Sequence, residues 1–560
     1  MEKRVILAFV LSFIVLYAFR ALFVPSRPSE PPTSVQAPAP PATPPVSATT
    51  TPAATITPAA TATTNVEVSS SLPPQGIKAE KSEELSFETP LYTATFSNVG
   101  AVLKSFKLKE YSDAEGHPLE LINQEAGAKV GWPLALVSGD KTVDEALQNA
   151  LFVVQRDPDK LVLDFAANGV HAHKAFRFDP ENYVFAIETR LMKDGKDIPY
   201  AVVWQGSFGD QSIPQDPARK NAVYQVDAAF KKVALRSLKD QPQSFTSLRA
   251  GVEDQYFAAV FLSVDNPVAV NVSKREYPGA DGKPIPTLVV SSSVPEGKLL
   301  RAYVGPKQQD WLSKADPQLA SIVDYGYFGF IAKPLVFCLL WIHSYIGNFG
   351  WSIILLTIVI NLILFPLSLK QQASMLKMQK IQPQMRRLQD QYKKLKPNDP
   401  RRAQVQSEMM GLYKAHGVNP MGGCLPLLLQ MPFLFAFYSA LAYSIELRRA
   451  PWILWVHDLS RPDYVFGWLP ILAVLMAIAM FVQQKMTPTT NVDPAQAKMM
   501  SIMPLMFVFM FWSQSSGLVL YWLTGSVIGI ARQVFINKYW SPKAEAKLSP
   551  RSKANEPRGA

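Results

Sequence analysis

Apolar and polar positions change rhythm several times along the chain. Residues 5–19 form an apolar run, with Ser12 its one polar residue, behind Lys3 and Arg4. With Arg20 reaching to the interface, the run extends to about 20 residues, enough to cross a bilayer. No small-x-small cleavage site follows, so 1–24 reads as an uncleaved signal-anchor helix. Between 25 and 84 the rhythm vanishes. Residues 25–75 hold 13 prolines among Ala, Thr and Ser, too little apolar surface to offset ordering entropy, which predicts a disordered linker. From 85 to 320 short alternating runs take over, such as Leu91-Tyr-Thr-Ala-Thr-Phe96, Leu161-Val-Leu-Asp-Phe165, Tyr183-Val-Phe-Ala-Ile187 and Thr287-Leu-Val-Val290. Asp194-Gly195, Pro278-Gly279 and Asp281-Gly282 punctuate them, as in an all-β sandwich.

After Trp311 the chain turns apolar and Met-rich. Residues 330–346, within a segment spanning 321–348, carry Lys333, Pro334 and His343 and read as a helix lying on a membrane surface. Crossings are expected at 351–369, 423–443, 468–482, 499–512 and 518–536, the fourth of them short for a hydrocarbon core of about 30 Å. The prediction is a multidomain membrane protein: an anchor, a β domain, an α-helical five-span core over 349–540 and a basic tail over 541–560.

Charge orients these pieces. The chain carries +11, whereas 85–320 holds 26 Lys/Arg against 29 Asp/Glu. Residues 370–419 hold 11 basic and 3 acidic residues, 444–464 balance, 483–498 carry +1, and the tail after Asn537 carries 6 basic against 2 acidic. Positive loops alternate with neutral ones, which places the positive ones and both termini in the cytoplasm. The β domain is then periplasmic, beyond a bacterial inner membrane.

The basic loop 370–419 has its own pattern. Met385, Leu388, Tyr392 and Leu395, then Val405, Met409 and Leu412, recur at helical spacing around Pro397-Asn-Asp-Pro400. Pro383 suits a first helical position. The reading is an antiparallel hairpin with an apolar seam and an outer surface of Lys377, Lys380, Arg386, Arg387, Lys393, Lys394, Arg401 and Arg402. Those charges either set topology and touch anionic lipid or dock a ribosome or nascent chain.

Catalytic chemistry is missing from the sequence. There is no phosphate loop, no His-Glu-x-x-His and no Gly-x-Ser-x-Gly. His171 and His173 share a strand face without further ligands and read as a surface pair rather than a metal site. Ser515-Ser516-Gly517 reads as a tight turn or helix cap rather than a nucleophile. No cofactor is expected. The crossings do contain scattered polarity at Thr357, Asn361, Gln430, Gln483, Gln484, Ser513, Gln514, Thr524 and Arg532. Polar groups at depth face a bundle interior or a wet cavity, or bond between helices.

Val323-Asp-Tyr-Gly-Tyr327, Trp341-Ile-His-Ser344, Asn419-Pro-Met-Gly-Gly-Cys-Leu-Pro426, Gln430-Met-Pro432, Trp455-Val-His-Asp-Leu459 and Ser516-Gly-Leu-Val-Leu-Tyr521 resemble the YidC/Oxa family of membrane protein insertases. Asp254-Gln-Tyr-Phe257 and Tyr303-Val-Gly-Pro306 resemble, more weakly, the supersandwich-like periplasmic domain of its Gram-negative members. The resemblance implies a hydrophilic groove open to cytoplasm and lipid and closed on the far side. Its substrates would be nascent membrane proteins, taken alone or with the Sec translocon, with a ribosome meeting the hairpin and tail. No specific nucleic-acid sequence is implied as a partner. Thr357, Leu434 and Trp522 fall at substrate-lining positions and Gln430 at a groove position. One position departs from the family. Its groove arginine, five residues before the Pro-Leu that ends the first core span, falls here on Asn361. Arg532 is the only arginine inside a core span. Asn361 lies 10 residues past Trp351 and Arg532 15 past Gly517, roughly 15 and 22 Å deep at 1.5 Å per residue. Arg532 either replaces the missing charge or reaches to the cytoplasmic interface. The rival reading is a secondary solute transporter, whose substrate paths are also marked by polar residues at mid-depth. The paired, interrupted repeats usual in that class are absent.

Overall fold

Alternating apolar and polar positions between Glu84 and Pro306 build three antiparallel sheets. The computed structural model describes residues 76–540 except 114, 212–218, 240, 264–265, 280–281, 295–298, 397–398, 417–424 and 487–493, and leaves side chains undescribed at 370–376, 379–380, 425–430, 494–501 and 540. The expected anchor at 1–24, most of the linker and the tail 541–560 lie outside the described residues, as do the side chains of Lys380 and Gln430.

A four-stranded sheet runs in chain order from Glu84–Glu88 to Pro118–Glu120. A ten-stranded sheet has Ala229–Ala234 and Val153–Arg156 at its edges, and a five-stranded sheet runs from Gln243–Ser247 to Ala135–Val137. Both smaller sheets pack on the large one through aromatic rings. Phe96 and Phe176 lie 4.6 Å apart, Phe106 and Phe185 6.4 Å, and Trp204 and Phe261 6.4 Å. Asp194 and Gly195 take positive φ (51° and 76°) and join Lys193 to Lys196 in a two-residue turn, the geometry that right-handed strand twist favours. Lys174 is fully buried, and its ammonium donates to the carbonyls of Ala101 (2.8 Å) and Leu134 (2.7 Å). His173 faces outward and pairs with Asp164 at 2.6 Å.

The chain then becomes helical: α1 (Gly329–Ile346), α2 (Phe349–Lys394), α3 (Arg401–Ala415), α4 (Leu425–Tyr443), α5 (Ile471–Met486), α6 (Pro494–Phe511) and α7 (Ser516–Phe535). By length and composition, Gly329–Ile346, Phe349–Leu369 and Ser516–Tyr539 could each cross a membrane; Met431–Tyr443, Ile471–Met486 and Ile502–Phe511 are shorter apolar helices. Two sequence expectations need correction. Pro383 does not start a helix: α2 runs unbroken for 46 residues through both Pro366 and Pro383. Each proline removes one backbone rung, and the Gln, Lys, Leu and Met around Pro383 are strong enough helix formers to carry the helix past it. The third apolar helix begins at Ile471 rather than at 468, because Tyr464–Val465 and Leu469–Pro470 pair as short strands.

The hairpin seam forms where its periodicity placed it. Met385 and Val405 are buried, Leu388, Tyr392, Leu395, Met409 and Leu412 are half-buried, and Ile381 extends the seam by one turn. The Arg402 guanidinium lies 4.5 Å over the Tyr392 ring. Lys377, Arg386, Arg387, Lys393, Lys394 and Arg401 are exposed around it.

Candidate functional site

The first half of α2 has two sharply different faces. Ser352, Ile353, Leu356 and Thr357 are buried, whereas Leu362 and Ile363 are 65% and 71% exposed. Asn361 continues the inward stripe one turn beyond Thr357 and is half-buried. Thr357 Oγ1 donates to the Ile353 carbonyl (2.6 Å) and Asn361 Nδ2 to the Thr357 carbonyl (2.9 Å). Such bonds to the preceding turn satisfy the donors without a partner helix. The Asn361 amide oxygen makes no further bond among the described residues.

On α7, Trp522, Ser526, Gly529 and Gln533 share one face at spacings of 4, 3 and 4, while the other side of α7 meets α2 through Gly517 beside Ile353 and Phe535 beside Phe365. Ser526 and Gln533 are buried polar residues. At Gly529 an added methyl would sit 2.3 Å from Gln483 Nε2, so α5 lies against α7 there. Trp522 packs on Phe507 and Phe511 of α6 at ring distances of 5.4 and 5.1 Å. Its neighbour Tyr521 stacks on Phe437 of α4 at 4.1 Å. Leu434 packs against the same apolar cluster. Leu434 and Trp522 pack on the same apolar cluster as the buried residues beside Thr357, and polar residues are buried on both α2 and α7.

Arg532 stands apart. Its side chain is half-buried near the C-terminal end of α7 and makes no hydrogen bond or ion pair with any described residue, Asn361 included. No Asp or Glu occurs at 349–369, 425–443, 471–486 or 494–535, so these helices offer it no carboxylate. Ser352, Ser368, Ser526 and Gln533 were missed as inward polar positions. Ser526 and Gln533 were findable, because they repeat the helical spacing of Trp522.

Ser515 is the N-cap of α7 without a side-chain bond, and the first-turn donors are met by a distant segment: the Ser516 N–H donates to the Arg461 carbonyl (2.7 Å) and the Gly517 N–H to the Leu459 carbonyl (2.9 Å).

Comparison with known proteins settles the lineage. The YidC periplasmic domain family matches residues 84–338, and the 60Kd inner membrane protein family matches 341–544. A membrane protein insertase YidC from Syntrophobacter fumaroxidans (strain DSM 10017 / MPOB) is 35% identical over 96% of this chain and all of its own length. This chain belongs to the YidC family. A second YidC, from Citrifermentans bemidjiense, is 37% identical over 96% of this chain and 99% of its own. Among solved structures, an active YidC insertase with its first transmembrane domain resolved covers 83% of this chain and 95% of its own at 21% identity and a TM-score of 0.35. YidC from Thermotoga maritima covers 82% and 99% at 16% identity and a TM-score of 0.28. The assignment rests on the sequence relatives. The three-sheet part is thus a YidC periplasmic domain, and the helices that follow are the part shared with inner membrane proteins of the family.

Proposed function

We propose that this YidC protein is a membrane protein insertase and folding chaperone. It moves nascent transmembrane segments and their short polar flanks into the inner membrane, alone or with the Sec translocon. The observation that carries this reading is the polar stripe of Thr357 and Asn361 on α2, whose opposite face is apolar and exposed, together with the buried polar Ser526 and Gln533 on α7. A polar flank entering such a stripe keeps hydrogen-bond partners that hydrocarbon denies it, which lowers a desolvation penalty of several kcal/mol per group. The apolar part of the substrate then partitions into lipid beside the helices, at about 25 cal/mol per Å² buried. That burial supplies the driving force, so no nucleotide or cofactor is required.

In this reading the N-terminal anchor and five core helices make six crossings, both termini are cytoplasmic, and α1 lies on the outer surface. Thr357, Leu434 and Trp522 line the substrate path with Gln430 and Asn361, and Arg532 supplies the positive charge that Asn361 lacks. The α2–α3 hairpin receives the ribosome or nascent chain and rests on anionic lipid through its lysines and arginines. The test is reconstitution of the purified full-length protein in liposomes with a short single-span substrate. Protease-protected insertion without nucleotide is expected. Failure to insert, with uptake of a small solute instead, would favour a transporter.

A further inference from the structure

The segment 444–463, between α4 and α5, bonds to the outer ends of several helices at once. Asn348, the N-cap of α2, donates from Nδ2 to the carbonyls of Pro451 (3.2 Å) and Trp452 (3.3 Å). The first turn of α7 donates to Arg461 and Leu459, and Ser516 Oγ adds a bond to the Asp458 carbonyl (2.8 Å). The Leu472 N–H, in the first turn of α5, donates to Asp463 Oδ2 (2.7 Å). The segment is anchored by Leu447, Val456 and Leu459, each 2% exposed or less and part of the common apolar core. Arg449 and Leu454 sit in the left-handed region (φ 58° and 52°), a conformation that non-glycine residues keep only where the surroundings over-determine it. The Arg449 N–H bond to Asp458 Oδ1 (3.0 Å) is part of that determination.

One side chain leaves this segment for the periplasmic domain. Arg448 donates from Nε (3.0 Å) and Nη2 (2.5 Å) to Asp210 Oδ2, and from Nη2 to the Ser112 carbonyl (3.0 Å). The Arg448 and Asp210 side chains are 5% and 1% exposed. Asp210 is itself fixed, its N–H donating to Asp254 Oδ2 (2.9 Å), and Asp254 comes this close because Gly209 has no side chain: a methyl there would lie 2.2 Å from Oδ2. Beside this pair, Gln255 Nε2 donates to the Ala442 carbonyl near the end of α4 (2.7 Å). Three separate points of the periplasmic domain, at Ser112, Asp210 and Gln255, therefore grip the same loop and helix end.

We propose that Arg448 is a positioning residue that locks the periplasmic domain onto segment 444–463, making the domain a brace for the outer ends of α2, α4, α5 and α7. A buried ion pair is strongly felt when one partner is removed, so the brace depends on both residues. The α2–α3 hairpin at the other end of α2 is largely exposed, with its basic residues facing outward. The consequence for function rests on the insertase reading: opening for substrate is confined to the cytoplasmic half, while the outer half stays fixed.

The test is hydrogen exchange on the full-length protein in lipid nanodiscs. Arg448→Met is expected to speed amide exchange across 444–463 at least tenfold and to leave Val170–Phe178 of the large sheet unchanged. Asp210→Asn is expected to do the same, and the double variant to exchange no faster than either single one. Should Arg448→Met fail to fold, Arg448→Lys keeps the charge, loses the two-point contact and serves the same test. Unchanged exchange at 444–463, or effects that add in the double variant, would overturn the brace. Insertion of a single-span substrate is expected to slow at least threefold in both single variants, and full-rate insertion despite faster exchange would refute the role. If the unaltered protein inserts nothing, the insertase reading fails, while the exchange data still decide the brace.

Discussion

Gly350→Ala is the smallest change that probes how the helices meet segment 444–463. Gly350 is buried in the first turn of α2. A methyl there would lie 2.1 Å from Trp452 Cδ1, 2.2 Å from Cγ and 2.7 Å from Cβ. Contact with Cβ matters most, because turning the indole about its first side-chain bond cannot relieve it. The Trp452 backbone would have to move, and it is held on both sides: its N–H donates to the Val456 carbonyl (2.9 Å) and its carbonyl accepts from Asn348. Overpacking of this kind costs about 1–3 kcal/mol, and loss of the Asn348 bonds adds about 1. Better helix propensity returns at most about 1 kcal/mol. The net expectation is about 2 kcal/mol of destabilisation. For a cooperative unit of roughly 150–250 residues that corresponds to a fall in thermal midpoint of about 4–8 °C, measured by tryptophan fluorescence on the full-length protein in detergent. Combining the change with Trp452→Ala is expected to give a loss smaller than the sum of the two. A midpoint that stays put or rises in Gly350→Ala, as for an ordinary helix glycine, would refute the reasoning.

Further outcomes test other parts of the molecule. Burial pushes the Lys220 ammonium down to about 8, against the opposing pull of Asp254. The unfolded chain keeps that proton to about pH 10.4, so between these values the unfolded state binds more protons and stability rises with pH, by at most about 3 kcal/mol. Lys220→Met is expected to flatten the rise in thermal midpoint between pH 7.5 and 10, and an unchanged slope would contradict the assignment. Met385 is fully buried in the hairpin seam, so Met385→Ala costs about 2–5 kcal/mol. Trypsin is then expected to cut within 386–402 at least tenfold faster, and an unaltered digestion rate would count against the seam. Arg532→Ala is expected to slow insertion of substrates with acidic flanks more than of those with neutral flanks; equal, full rates for both would sink its role in the groove.

The run at 91–96 marks a strand because Thr93 and Thr95 alternate with buried Tyr92, Ala94 and Phe96, a period of two visible without knowing the partner strand, whereas 161–165 and 287–290 are buried on nearly both faces and show through their short apolar runs. The hairpin seam was legible for the same reason, since Met385 to Leu395 and Val405 to Leu412 keep a helical period whatever they pack against. Helix limits were less legible. Pro383 signals a start in isolation, yet it sits inside α2 because the turns on either side are helical enough to tolerate one missing rung. The inward stripe was half visible: Thr357 and Asn361 stand out as polar residues in apolar surroundings, while Ser526 and Gln533 gain meaning only once Trp522 fixes which face of α7 turns inward.

Local pattern and charge thus determined by themselves the division into a β part and a helical part and the basic hairpin. These depend on near-neighbour periodicity and on summed charge, both of which are written along the chain. Only the tertiary structure decided that Arg448 meets Asp210 across 238 residues of sequence, that Gly350 makes room for Trp452, and that Arg532, near the C-terminal end of α7, bonds to no described residue. Contacts of that kind depend on how whole sheets and helices stack. No local preference encodes them, because the groups that meet come from distant segments of the chain.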